Sequence, residues 1–113
     1  MTFDDYQKKA IKTDVYGGRG DFLSTAFINK ILGLVGETGE VAERIKKVQR
    51  NDGGKLDQAN RQAILKELGD VLWYLSAIAH YLDEPLGKIA EGNLAKLADR
   101  HARGVIKSEG DSR

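Results

Sequence analysis

Four carboxylates arranged in two pairs are the residues best suited to chemistry in this sequence. Glu37 and Glu40 are three positions apart, and Glu67 and Asp70 repeat that spacing further along the chain. Residues at this spacing share one face of a helix, so each pair presents its acids together. One such pair alone is usually a solvated surface feature. Two pairs, each bordering an apolar face, predict a site for Mg²⁺, Mn²⁺ or Ca²⁺, which prefer oxygen ligands.

Two long neighbouring helices must position these acids. Apolar residues with a period near 3.6 predict a helix from Ser24 to near Gln49 and another from Asp57 to about Leu82, with Ser24 and Asp57 as their N-caps. If the two helices pack antiparallel, their middles meet and the four acids converge, where a cation would relieve their repulsion. The first pair lies in a glycine-rich stretch, residues 33–40. Each glycine there costs about 1 kcal/mol relative to alanine, which close packing or room for a ligand would offset.

Two further helices are predicted at the ends of the chain. The first covers residues 3 to about 15, with Thr2 as its N-cap. The last begins with Asp83 as its N-cap and Pro85 near its first position, and it ends at Gly104. The glycine-rich segment 17–21 is interpreted as a linker, because it lacks the Gly-Lys-Ser/Thr ending of a phosphate-binding loop.

The predicted fold class is therefore all-α, an antiparallel four-helix bundle-like protomer. A single domain covers residues 1–113, with a helical core over 24–104 and a polar C-terminal tail over 105–113. The two central helices are long for a chain of 113 residues and would expose apolar surface in a monomer. We therefore expect a dimer or a tetramer.

Composition excludes several classes of function. The chain has 18 basic and 17 acidic residues, so it offers no broad basic surface for nucleic acid, which argues against a DNA-binding helical protein. It has no cysteine, which excludes disulfides, zinc–thiolate sites and thiol nucleophiles. Neither a signal peptide at the N-terminus nor an apolar run of roughly 20 residues is present, so a cytoplasmic location is expected.

Two other kinds of catalytic centre do not fit. A di-iron carboxylate bundle needs a Glu-x-x-His motif on two helices, but alanine stands three residues before both His80 and His101. A hydrolase triad needs a serine in a recognisable turn with a paired histidine, which neither Ser24 nor Ser76 has.

Three segments together resemble a known family. Residues 33–43 read Gly-Leu-Val-Gly-Glu-Thr-Gly-Glu-Val-Ala-Glu, residues 66–75 read Lys-Glu-Leu-Gly-Asp-Val-Leu-Trp-Tyr-Leu, and residues 93–100 read Asn-Leu-Ala-Lys-Leu-Ala-Asp-Arg. This combination is similar to the MazG-type nucleotide pyrophosphohydrolases of the all-α NTP pyrophosphatase superfamily, over roughly residues 24–113. The resemblance implies a homodimer or homotetramer that hydrolyses an NTP or dNTP to the NMP and pyrophosphate, by water attack at the α-phosphate. It implies Mg²⁺ as cofactor, with Mn²⁺ as a substitute.

The resemblance also implies roles for individual residues. The metal-binding and catalytic acids fall on Glu37, Glu40, Glu67 and Asp70. Nucleoside contacts fall on Tyr74 and Asn93, and phosphate contacts on Lys96 and Arg100, to which charge and position add Lys47. Either Glu40 or Glu43 is a candidate general base, and Trp73 is expected in the core or an interface, with base stacking as the alternative. A non-catalytic module that binds nucleotide and metal, or only assembles, remains the alternative function.

Overall fold

The computed structural model describes residues 1–16, 20–51 and 53–104, and these ranges contain helices and no strands. The predicted all-α class is therefore confirmed. The loop residues 17–19 and the tail 105–113 lie outside the described ranges. The elements, in chain order, are α1 (Phe3–Ala10), a 3₁₀ turn (Ile11–Thr13), α2 (Thr25–Asn51), α3 (Gln58–Tyr81) and α4 (Leu86–Arg103).

Most helix boundaries have the side chains that the sequence predicts. Three predicted N-caps accept a hydrogen bond from an amide of the first turn, which satisfies a donor that the helix itself leaves unpaired. Gly104 ends α4 in the left-handed conformation, with φ 71°, as a C-terminal glycine does. The N-cap pairs are Thr2 with the amide of Asp5, Ser24 with that of Phe27, and Asp57 with that of Asn60.

The predicted length of the first helix is wrong. It ends at Ala10, and the 3₁₀ turn that follows leads to Asp14, whose backbone is extended, with φ −71° and ψ 119°. Asp14 is buried and ion-paired to Lys30 of α2 at 2.9 Å. Because the chain must turn inward for that contact, the helix cannot continue to residue 15.

The predicted start of α4 is also corrected. Pro85 occupies the N-cap position rather than the first turn, and Asp83, with φ 57°, does not cap the helix. Side chains of α1 take over this role. Gln7 Oε1 accepts from the amide of Leu86 at 3.0 Å, and Asp4 Oδ1 accepts from the amide of Gly87 at 2.8 Å.

An antiparallel hairpin of α2 and α3 forms the body of the protomer, and the described core lies at one end of it. There Ala26, Phe27 and Tyr81 are buried together, and Ile11 from the 3₁₀ turn packs against them. In the described ranges α4 contacts α1 and α3 but not α2. A bundle of all four helices is therefore not seen in the described part of this single chain.

Both helices of the hairpin carry exposed apolar stripes. On α2, Leu32 and Val35 are 67% and 68% exposed, and Gly36 and Gly39 continue the same row. On α3, Leu65, Leu68 and Leu75 are exposed around Gly69. A Cβ added at Gly36, Gly39 or Gly69 would meet no described atom within 4 Å. Among the described helices, none has a stretch that is both long and apolar enough to cross a bilayer.

Candidate metal centre and adjoining cavity

Three of the four predicted acids come together where α2 and α3 face each other. Glu37 from α2 and Glu67 and Asp70 from α3 each place a carboxylate oxygen within 4.8 Å of the other two. The hairpin explains the meeting, since Glu67 and Asp70 are one turn apart on the same face of α3. Oxygen donors at this spacing are suited to a hard divalent cation.

The environment of Glu37 shows the cost of bringing these charges together. Burial raises the pKa of Glu37 above its usual value of 4.5. The negative charges of Asp70 and Glu67, a hydrogen bond shared with Glu67 and the charge of Glu40 raise it further. Tyr6 of α1 is close enough to the cluster for the charge of Asp70 to raise its pKa, although burial is the larger cause. A bound cation would reverse the sign of these effects.

Glu40 lies apart from the other three acids. It is one turn further along α2, exposed, and not among the residues whose oxygens lie within 4.8 Å of one another. Its charge still contributes to the raised pKa of Glu37. The structure thus brings three of the four predicted ligands together and leaves the fourth at the edge of the cluster.

Cations on α2 approach the acids from one side. Arg44 donates from Nε to Glu67 Oε1 at 3.3 Å, and its side chain remains 48% exposed. Lys47, a predicted phosphate contact, is exposed and lies 4.0 Å from Glu43, the alternative candidate for the general base. Arg44 is therefore the cation of α2 that contacts a cluster acid directly.

A cavity of about 410 Å³ opens beside the acids. This volume is within the usual range for small-molecule sites. Its walls come from α2, α3, the end of the 3₁₀ turn and the chain that follows it. The lining residues are Thr13, Asp14, Val15, Asn29, Lys30, Glu37, Asp70, Trp73 and Tyr74.

Two aromatic residues of α3 form one wall of this cavity. Tyr74, a predicted nucleoside contact, lies edge-on to Trp73, with ring centroids 4.9 Å apart. A Cβ at Gly33 would lie 2.2 Å from the Tyr74 ring, so this glycine is needed for the ring to sit against α2. Trp73 is half-buried and donates from Nε1 to Thr13 Oγ1 at 2.8 Å and to the carbonyl of Ala10 at 3.2 Å. These contacts fix both rings.

A buried cation also lines the cavity. Lys30 is 1% exposed, and its ammonium lies 2.9 Å from Asp14 Oδ1 and 3.4 Å from Asn29 Oδ1. Tyr81 donates to the other oxygen of Asp14. The ammonium also lies 4.6 Å from the ring centroid of Tyr16. Burial alone would raise the pKa of Asp14, but the hydrogen bonds from Tyr81 and Lys30 outweigh it, and the pKa falls below 3.8.

The predicted contacts on α4 are not at this cavity. Asn93 and Lys96 are exposed and Arg100 is buried, but no described residue of α4 lines the cavity. Their proposed contacts with substrate therefore have no support from the geometry of one described chain.

Sequence reasoning missed Lys30, Asp14 and Asn29, and left Arg44 without a role. A signal for Lys30 was present, because it lies in the apolar row of α2 between Phe27 and Leu34, seven residues before Glu37. A lysine in such a row is buried only when it is paired. Asp14 carried no comparable signal, since it follows the helix in an irregular segment.

Comparison with known proteins identifies the family. The family model described as the MazG nucleotide pyrophosphohydrolase domain matches residues 27–105. The chain is also similar to the Gene 37 protein of Mycobacterium phage L5, with 43% identity over 114 aligned residues that cover 100% of both chains. No solved structure shows significant similarity to it. The resemblance noted in the sequence is thus confirmed, and the chain belongs to the MazG nucleotide pyrophosphohydrolase family.

Proposed function

We propose that this protein is a Mg²⁺-dependent pyrophosphohydrolase that converts an NTP or dNTP to the NMP and pyrophosphate. The observation that carries the proposal is the meeting of Glu37, Glu67 and Asp70 beside a cavity of about 410 Å³ that Glu37 and Asp70 line. Membership of the family supports the reaction class.

The chemistry of the acids fits the proposed cation. Three carboxylates share a small volume, and burial together with the negative charges of Asp70 and Glu67 raises the pKa of Glu37. Arg44 contacts only Glu67 among them. We therefore assign Glu37, Glu67 and Asp70 as ligands and keep Glu40 as a further ligand or as the general base. When bound, Mg²⁺ would supply Lewis acidity at the phosphates and neutralise the charge of the leaving pyrophosphate.

The remaining assignments follow from position. Tyr74 lies on the cavity wall and is proposed to contact the nucleoside. Lys47 is on α2, the helix that also carries Glu37, and is proposed to contact phosphate. Asn93, Lys96 and Arg100 are retained as substrate contacts because of the family resemblance. We propose that α4 of a second copy of the chain brings them to the cavity.

Two or four copies are proposed to form the working enzyme. The stripes on α2 and α3 combine exposed leucine and valine with glycines whose missing Cβ atoms leave room for a close neighbour. An exposed apolar surface of this kind is typical of an interface. A Val35→Glu variant should dissociate the assembly in sedimentation velocity runs, whereas a wild-type monomer would contradict the proposal. The cytoplasmic location stays a prediction.

Pyrophosphate release tests the function directly. The purified protein with Mg²⁺ is assayed against canonical and modified NTPs and dNTPs for pyrophosphate and, separately, orthophosphate. We expect pyrophosphate from at least one substrate and a loss of about 100-fold or more in kcat for Asp70→Asn, because a ligand to the catalytic ion is removed. The matched control is Asp99→Asn, whose carboxylate pairs with Arg103 on α4.

The alternative function gives a different result in the same assay. A non-catalytic module would bind nucleotide and Mg²⁺, seen as a rise in Tm, without releasing pyrophosphate from any nucleotide. That outcome, or full turnover by Asp70→Asn, would overturn the proposed reaction or the proposed site.

A further inference from the structure

The cavity lining contains two chemically different groups of residues. Glu37 and Asp70 contribute carboxylates, and Asn29 and Lys30 contribute an amide and an ammonium group. Asn29 and Glu37 are eight residues apart on α2, which is about 12 Å along the helix axis. That distance is comparable to the span of a nucleoside monophosphate. A nucleotide with its α-phosphate at the acids would therefore bring its base to Asn29.

The orientation of the Asn29 amide is set by its neighbour. Lys30 Nζ lies 3.4 Å from Asn29 Oδ1. An ammonium group only donates hydrogen bonds, so it holds the carbonyl oxygen of the amide and turns the NH₂ group away. No described residue accepts a hydrogen bond from this NH₂ group, and Asn29 borders the cavity. The amide thus offers two unused donors to the cavity.

Lys30 cannot easily release the amide. Its side chain is 1% exposed, and Asp14, itself buried, holds the ammonium at 2.9 Å. The rings of Tyr16 and Tyr81 lie 4.6 and 5.4 Å from it, at distances where a cation is attracted to an aromatic face. A rotation of the amide would place its NH₂ group against the ammonium. The donor orientation of Asn29 is therefore built into the fold.

We propose that Asn29 determines base specificity by donating to an exocyclic carbonyl of the nucleobase. The cavity would then favour 4-oxo pyrimidines and 6-oxo purines over their 4-amino and 6-amino counterparts. An exocyclic amino group at that position is itself a donor and would face the NH₂ group of Asn29, so neither group would find an acceptor there. This inference rests on the proposed function for the position of the phosphates.

Paired substrates test the proposal. Values of kcat/KM for pyrophosphate release are measured with Mg²⁺ for UTP against CTP and for ITP against ATP. The members of each pair differ in the exocyclic group and in whether the adjacent ring nitrogen carries a hydrogen. Wild type should favour the carbonyl member of each pair by about tenfold or more, since a polar group built into a site discriminates strongly.

Variants of Asn29 distinguish a role in base recognition from a purely structural role. Asn29→Asp replaces the donors with acceptors and gains an ion pair with Lys30, so it should fold and should lower the carbonyl-to-amino ratio by about tenfold or more. Asn29→Ala should bring the ratio near one. Gln49→Ala removes an exposed amide elsewhere on α2 and should leave the ratio unchanged. A wild-type ratio at or below one, or an unchanged ratio in Asn29→Asp, would overturn the proposal.

Binding measurements distinguish failure of the proposed base specificity from failure of the proposed reaction. If wild type releases pyrophosphate from no nucleotide, the reaction is wrong, and calorimetric titration of UMP and CMP with Mg²⁺ becomes the test. If wild type binds UMP more tightly than CMP and Asn29→Asp loses this preference, the result would support recognition of the exocyclic carbonyl by Asn29. Equal binding, or no binding of either, would contradict it.

Discussion

Lys30 and Glu37 lie two turns apart on the same side of α2, but their surroundings treat charge in opposite ways. The ammonium of Lys30 has a carboxylate, an amide oxygen and aromatic faces around it. Glu37 instead faces two further carboxylates. The first cluster is complete within the protein and holds parts of the chain together. The second brings three carboxylates together, as the proposed cation site requires. Two charged residues on one helix thus differ in their surroundings: Lys30 is paired within the protein, whereas Glu37 is placed among like charges.

Breaking the complete cluster should have the largest effect. Lys30→Met would remove the ammonium that pairs with the buried carboxylate of Asp14, and we expect a loss of about 3–5 kcal/mol in the free energy of unfolding. Urea denaturation at pH 7 measures it. Adding Asp14→Asn should recover part of the loss, because the carboxylate that lost the Lys30 ammonium is then replaced by a neutral amide. Lys46→Met, at an exposed position on the same helix, should change stability by less than about 0.5 kcal/mol. Equal stability of Lys30→Met and Lys46→Met would show that the ion pair of Lys30 and Asp14 contributes little to the free energy of unfolding.

A smaller effect is expected at Arg44, which contacts Glu67 of the acidic cluster. Its hydrogen bond orients Glu67, and loss of such a partner typically weakens metal binding by about 10-fold or more. Calorimetric titration of Arg44→Gln with Mg²⁺ should show this change. Arg50→Gln removes an exposed guanidinium on the same helix that contacts Asn51 instead, and should bind Mg²⁺ like wild type. Undiminished affinity in Arg44→Gln would mean that Glu67 needs no such support.

Neutralising an acid should have the opposite sign from neutralising Lys30. In EDTA, Glu37→Gln should stabilise the protein by a few tenths of a kcal/mol to about 1 kcal/mol, because repulsion from Glu67 and Asp70 is reduced. Thermal unfolding measures this change, and added Mg²⁺ should raise Tm more in wild type than in the variant. Glu91→Gln, which removes an exposed acid from α4, is the control. Destabilisation by Glu37→Gln in EDTA would show that these charges are already balanced.

Acid should weaken the complete cluster gradually. The pKa of Asp14 is lowered on folding, so its contribution is fully present above 3.8 and is lost as the pH falls from there through the folded value. The difference in free energy of unfolding between wild type and Asp14→Asn should therefore be constant from pH 7 to 5 and shrink below pH 4. Urea denaturation at several pH values tests this. A difference that grows toward acid would contradict the lowered pKa.

Local signals account for what the sequence predicted well. Thr2, Ser24, Asp57 and Gly104 mark helix ends through contacts within a single turn, and these predictions are confirmed. The convergence of Glu37 with Glu67 and Asp70 needed only helical spacing and an antiparallel pair of helices.

The features that were missed depend on contacts between distant parts of the chain. The cap of α4 comes from Asp4 and Gln7, about eighty positions earlier, so no local pattern encodes it. Asp14 lies in an irregular segment whose path is fixed by a lysine on another helix. The glycines also differ in a way that periodicity does not show. Gly33 makes room for Tyr74, whereas Gly36 and Gly39 face no described atom.

The hydrogen bonds from α1 to the start of α4 join the first and last helices of the described chain. Gln7 contacts three places at once, since it also donates to the carbonyls of Ser76 and Glu84. The family match begins only at residue 27, so the peptide that holds these helices in place precedes the part that defines the family. A shortened protein that kept only the matched region would retain all four acids. It would lose the side chains that cap α4, the 3₁₀ turn that contacts Trp73 and the carboxylate that pairs with Lys30, so we expect the matched region alone to be less stable than the whole chain.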